Sequence, residues 1–231
     1  MKFKNLTPYF IIAILFQACI GNDVIDDFVE PNIRITNPID TIGFEDTYQF
    51  EATYFNNVGL TEDLPVFWSS SDENIISITE TGLATAINTG DAIISAEVTN
   101  PDGSTILNDL PVSVGAMTVI AEVPVERTGT VMTTTFYDLE GDFTLAEAEE
   151  GMLTLTFDEN YLASAGLPGL YIYLTNNPNT ISGAFEIGRV DVFEGEHSYE
   201  IPSSVGIMDY QYILYFCKPF NVKVGDGEFD N

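Results

Sequence analysis

Short runs of β-branched and aromatic residues, each closed by a turn cluster, recur along the chain from residue 32 onward. Such runs are too short for helices. When turn signals interrupt them about every eight to twelve residues, they specify a sandwich or barrel. In the first half, strands are predicted at 33–36, 47–55, 65–69, 75–79, 83–87, 92–98 and 107–114. Asn37-Pro38, Asn56-Asn57, Ser71-Asp72-Glu73-Asn74, Thr81-Gly82, Thr89-Gly90 and Asn100-Pro101-Asp102-Gly103 supply the turns. Pro101 presets its φ, and Gly103 takes the positive φ that follows. In the second half, Met152 to Phe157 alternates. Leu170-Tyr171-Ile172-Tyr173-Leu174 and Tyr210 to Cys217 are apolar on both faces, the pattern of strands buried on both sides. Residues 145–151 are the single candidate for a helical turn. The predicted fold class is therefore all-β, with two β-sandwich-like domains in series at 32–114 and 126–231, joined by a short linker at 115–125.

The first residues read as an address. Lys2 and Lys4 precede the apolar stretch 9–16, which is shorter than the about twenty residues a bilayer span requires. Gln17-Ala18-Cys19 follows and resembles a lipobox of the looser kind found in Bacteroidetes lipoproteins. The resemblance implies that 1–18 is a lipoprotein signal peptide and that Cys19 is acylated. It also implies a membrane partnership through the lipid anchor, at the outer membrane or the cell surface. The alternative is an ordinary secretory signal with an incidental cysteine. Residues 19–31, with Asp23, Asp26 and Asp27, form an acidic tether.

Two longer stretches carry family resemblances. Val66-Phe67-Trp68-Ser69-Ser70-Ser71-Asp72, then Gly82-Leu83-Ala84-Thr85-Ala86, then Gly90-Asp91-Ala92-Ile93-Ile94 resemble the group-two bacterial immunoglobulin-like domain. That implies a sandwich over about eighty residues, used elsewhere as an adhesin spacer. Leu167-Pro168-Gly169-Leu170-Tyr171-Ile172-Tyr173-Leu174, then Gly195-Glu196-His197-Ser198-Tyr199-Glu200-Ile201-Pro202, then Tyr212 to Asn221 around Cys217-Lys218-Pro219-Phe220 resemble the DM-thirteen domain. Gly169 stands where that family carries Asp. The resemblance implies electron transfer or thiol redox centred on Cys217.

Read from the residues, Cys217 is first a small buried hydrophobe; a reactive thiol or half of an intermolecular disulfide are the alternatives, since acylation of Cys19 would leave it the single thiol. His197 is the only imidazole, and no nucleophile is placed to use it, so it reads as structural, with haem ligation as the remote alternative. Trp68 reads as a core residue. Ser69 to Ser71 read as turn chemistry, because no base lies near them. Asp226-Gly227-Glu228-Phe229-Asp230 offers oxygens for a weak Ca²⁺ site or is a solvated tail. Tyr171, Tyr173, Tyr199, Tyr210, Tyr212 and Tyr215 line a ligand surface or are half-buried packing residues.

Charge narrows the partners. Seven Lys and Arg face 36 Asp and Glu, a net charge of −29, which repels phosphate backbones and argues against nucleic acid. One His and two Cys are too few for an ordinary zinc site, so no metal site is predicted. No catalytic residues are identified, no cofactor is indicated, and the chain is not expected to be an enzyme. Two functions remain: a lipid-anchored envelope protein presenting a redox module with a redox partner, or a non-enzymatic protein that binds a surface protein or glycan.

Overall fold

The computed structural model describes residues 27–121 and 124–230. The expected signal segment, Cys19 and most of the acidic tether lie outside them. The fold is all-β. No strand ladder joins the elements before Ala121 to those after Val125 among the described residues.

The first unit holds ten strands: β1 (Asn32–Ile35), β2 (Ile39–Gly43), β3 (Thr47–Gln49), β4 (Ala52–Phe55), β5 (Phe67–Ser70), β6 (Ile76–Ile78), β7 (Leu83–Ala86), β8 (Gly90–Thr99), β9 (Thr105–Gly115) and β10 (Val119–Ile120). A five-stranded sheet runs β10-β2-β9-β8-β5. Facing it are a three-stranded sheet, β3-β7-β6, and the pair β1-β4. Period-two alternation along β8 turns Ala92, Ile94, Ala96 and Val98 inward. Ala92 and Ile94 pack with Ile76, Ala84 and Ala86 of the three-stranded sheet, while Ala96 and Val98 pack with Ile33 and Tyr54 of the β1-β4 pair. The result is a sandwich. Trp68 lies half-buried, its ring stacked 5.9 Å from that of Phe50, in the packing role its sequence context suggests.

Three details differ from the sequence reading. The predicted strand 47–55 is two strands, because the chain changes sheets at the buried Phe50: β3 pairs with β7, and β4 pairs with β1. β2 was not predicted. It pairs with β9 in parallel, the unit's single parallel ladder among the described residues. The expected linker is partly sheet, since β9 reaches Gly115 and β10 pairs with β2.

The second unit contains β11 (Glu126–Thr133), β12 (Leu139–Glu147), β13 (Leu153–Phe157), β14 (Leu162–Ala163), β15 (Leu170–Thr175), β16 (Phe185–Arg189), β17 (His197–Ile201), β18 (Tyr212–Cys217) and β19 (Val222–Glu228). They form one antiparallel sheet in the order β16-β15-β18-β19-β11-β12-β13-β17, with β14 beside β12. Its two ends, β16 and β17, approach each other, so the sheet is nearly closed into a barrel. Inside lie Phe143, Leu155, Phe157, Tyr161, Ile172, Tyr215 and Val224, each buried. Tyr173, Leu214 and Phe216 are buried on the other face of β15 and β18, under Ile181 and Ala184. Both faces of these two strands are covered, as their doubly apolar pattern requires. The expected helical turn at 145–151 is divided: its first three residues end β12 and its last three form a 3₁₀ turn. Leu139, Gly141, Phe143 and Leu145 alternate inward along β12, and only Glu149–Gly151 makes a 3₁₀ turn. Gly129 and Gly227 open the slot for the Phe143 ring, since a Cβ on either would run into that ring.

The two units touch through short segments. Asn177, 1% exposed, donates from its amide to the carbonyls of Asp27 (2.6 Å) and Val58 (3.0 Å). Gly59 adopts φ +75°, and a side chain there would strike Asn176 and Asn177. A Cβ on Gly183 would meet Leu60. Loop 56–60 therefore sits against the segment 176–183.

Candidate functional site

Cys217 ends β18, paired with Leu170 and Val222. Its side chain is 2% exposed and lies in the barrel core. The thiol donates to the Pro168 carbonyl at 3.4 Å. Lys218 points the other way, to Glu186 at 2.6 Å and over the Tyr171 ring at 4.8 Å. The depression nearby is walled by Pro168, Gly169, Tyr171, Arg189, Lys218 and Pro219, and the thiol is not part of that wall.

His197 belongs to an aromatic cluster in the same core. Its ring stacks on Phe157 at 5.1 Å and meets Tyr161 at 4.5 Å and Tyr199 at 5.4 Å. Its Nδ1 lies 2.9 Å from the Gly195 carbonyl. A carbonyl only accepts, so Nδ1 carries a proton, and in the neutral ring Nε2 is then the bare nitrogen. That Nε2 and the hydroxyls of Tyr161, Tyr199 and Tyr215 are buried with no hydrogen bond of good geometry among the described residues, although the Tyr161 and Tyr215 hydroxyls lie near each other and that of Tyr199 lies near the Asp191 backbone. Burial pushes the Tyr161 and Tyr215 phenols well above their ordinary range. Burial, aided by the Asp191 charge, takes Tyr199 to about 12. These phenols stay neutral at pH 7, and no nucleophile in the cluster is placed for His197 to act on as a catalytic base.

A buried hydroxyl without a well-aligned partner costs stability rather than adding it. Tyr161→Phe should therefore leave stability at pH 7 unchanged or raise it by about 1 kcal/mol, read by urea unfolding. The sign at high pH follows from linkage. The fold favours the neutral phenol, so this stabilisation is full below pH about 10 and is lost as pH rises further. The variant should lose less stability than the wild type between pH about 10 and 12. A loss above about 1 kcal/mol at pH 7 would mean the hydroxyl is bonded after all.

The other singled-out groups scatter. Tyr171 and Tyr173 sit near Lys218 and Glu186, Tyr199 and Tyr215 lie inside the barrel, and Tyr210 faces the other unit. They form no single path. The C-terminal carboxylates are held in the sheet: Asp226 pairs with Lys223, and Asp230 accepts from Thr128 Oγ1 at 3.1 Å. Among the described residues no group of three His, Cys, Asp or Glu is placed to hold a metal.

A sizeable concavity lies where the two units meet, a cleft of about 810 Å³. That volume is in the usual range for small-molecule sites. Arg34 comes from β1 and Arg127 from β11, so each unit contributes a guanidinium. Thr36, Thr53, Phe55 and Thr61 line the first unit's wall, and Asn176, Tyr210 and Gln211 the second's. Arg34 Nη2 donates to Asn176 Oδ1 at 3.0 Å across the junction, Nε donates to Asn32 Oδ1 at 3.2 Å, and the guanidinium lies 4.2 Å over the Phe55 ring. Arg127, 6% exposed, donates from Nη1 to the carbonyls of Ile207 (3.2 Å) and Tyr210 (2.8 Å), with Phe229 packed 4.6 Å below. Burial, and then the Arg127 charge, pushes Arg34 down to about 10, against the pull of Tyr212 and Asp209. Burial also lowers Arg127, with Glu228 opposing.

The sequence reading singled out neither arginine. Arg34 stands between Ile33 and Ile35 in a predicted strand, where alternation turns it away from the core. A cation on such a strand in so acidic a chain was the available signal. Arg127 has no comparable local context.

No protein-family model matches the chain, and no curated protein matches it.

Proposed function

We propose that this chain is a lipid-anchored cell-envelope protein that binds a solute, without catalysis, in the cleft between its two β units. The observation that carries this reading is the cleft itself. It is large enough for a ligand, is built from both units, and is lined by hydroxyls, amides, aromatic rings and two guanidinium groups. The likeness of 66–96 to bacterial immunoglobulin-like domains, and of the second unit to the DM-thirteen domain, is in keeping with a module displayed outside the cell. Cys19 would then carry the lipid. Thiol redox through Cys217 is the weaker reading, because a thiolate must be reachable to react and this thiol is buried in the core.

Thr61→Trp tests the proposal, since Thr61 is exposed and lines the cleft. Screened against sugars, amino acids and organic acids, the wild type should be stabilised by its ligand by about 2.7 kcal/mol at a hundredfold excess over Kd. Thr61→Trp, of unchanged stability alone, should lose that gain. A ligand that stabilises both proteins equally binds elsewhere and removes the cleft from the account.

A further inference from the structure

The described residues contain five Lys and Arg side chains. Three lie on the second unit's surface and are paired with carboxylates: Arg189 with Asp191, Lys218 with Glu186, and Lys223 with Asp226. The other two, Arg34 and Arg127, take part in no ion pair among the described residues, although the chain carries 36 acidic residues. Both line the same cleft, drawn from opposite units. Chance pairing in so acidic a chain would favour the reverse. Withdrawing two like charges from water toward each other, with no carboxylate in direct contact and only Asp209 and Glu228 acting from a distance, is costly.

We propose that the cleft binds an organic anion, whose carboxylate or phosphate is received between Arg34 and Arg127 and whose body rests on Phe55 and Tyr210. The inference rests on the cleft being the binding site. A guanidinium has five N–H donors in a planar fork that matches an oxyanion. Arg34 uses Nε and Nη2 on Asn32 and Asn176, and Arg127 uses Nη1 on two carbonyls. The remaining donors, Nη1 of Arg34 and Nε and Nη2 of Arg127 among them, have no acceptor among the described residues. Those bonds also fix both guanidinium groups before a ligand arrives, which limits the ordering cost of binding. Asp209 is the carboxylate that lines the cleft, and it is engaged elsewhere, accepting from the Gly206 N–H at 2.7 Å. It sets a limit on affinity and supplies a control.

The test compares the purified chain with Arg34→Gln and Asp209→Asn, by calorimetric titration and melting. The probes are glucuronate and glucose 6-phosphate, each against glucose, and inorganic phosphate against chloride at equal ionic strength. The charged probes should bind at least about tenfold more tightly than glucose, and Arg34→Gln should lose about tenfold, the loss expected for a charge-assisted contact. Asp209→Asn should tighten binding, a gain that misfolding cannot produce. Glucuronate above glucose 6-phosphate would assign a carboxylate, and the reverse a phosphate. If glucose binds as well as its charged relatives, and Thr61→Trp abolishes both, the cleft is a binding site but the anion inference is wrong. If phosphate acts equally on the wild type, Arg34→Gln and Asp209→Asn, the inference fails. If Thr61→Trp also changes nothing for any probe, the cleft reading fails with it.

Discussion

Phe157→Ala should lower the stability of the second unit by about 3–5 kcal/mol. Phe157 ends β13, is fully buried, and sits at the centre of the barrel's aromatic cluster. Its ring centroid lies 4.8 Å from Tyr161, 5.1 Å from His197, 6.0 Å from Phe143, 6.2 Å from Tyr215 and 6.4 Å from Tyr199. Sheet register sets two of these neighbours, because Phe157 is the ladder partner of both Phe143 and His197. Five rings around one vacated volume cannot all collapse into it, so the cavity persists and its cost is near the upper end for such truncations. Against a total stability of about 5–15 kcal/mol, that is enough to unfold a large share of the unit. Phe136→Ala is the matched control: Phe136 is 87% exposed, and its truncation should be close to neutral. Urea unfolding of the two variants reads the difference. Equal midpoints would mean that the barrel interior is not packed around Phe157.

Arg127→Ala is expected to cost about 3 kcal/mol. The change strips the carbonyls of Ile207 and Tyr210 of their donor and removes the guanidinium packed over Phe229. Buried carbonyls left without partners bear a desolvation penalty beyond the lost bonds. The effect should be local as well as global. Hydrogen exchange in 206–211, the segment Arg127 ties to β11, should rise more than exchange in β15 or β18. Arg34→Gln differs in kind, because its partners Asn32 and Asn176 are side chains that can turn to water. Its stability cost should stay below about 1 kcal/mol. A cost for Arg127→Ala below that same level would mean that the guanidinium does not hold this segment.

The parts of the fold that were legible in the sequence are those encoded locally. Alternation marks β8 and β13, and the doubly apolar runs mark β15 and β18 as buried on both faces. A strand's partner is a non-local property. Nothing within residues 47–55 states that Thr47–Gln49 joins one sheet and Ala52–Phe55 another, and nothing in Ile39-Asp40-Thr41-Ile42 announces a parallel pairing with β9. The candidate helical turn at 145–151 was legible in its last three residues, which form a 3₁₀ turn, but not in its first three, which continue the inward alternation of β12 through Leu145. The cleft was illegible for the same reason on a larger scale. Arg34 and Asn176, which meet across it, are 142 residues apart. Cys217 was legible as a candidate but not as to its role, since on a strand buried on both sides alternation does not say which face is reachable.

The account places function in the cleft and not at the thiol, and the reactivity of Cys217 tests that division directly. With Cys19→Ser leaving one thiol, a disulfide-exchange reagent is applied from pH 5 to 9 to the native and the unfolded chain. The account predicts that native Cys217 reacts only as fast as the unit opens, about a thousandfold or more below the unfolded rate, with Cys217→Ala folded and still binding ligand. Rapid native modification, rising with pH around a depressed thiol pKa, would contradict it and return the chain to thiol redox chemistry.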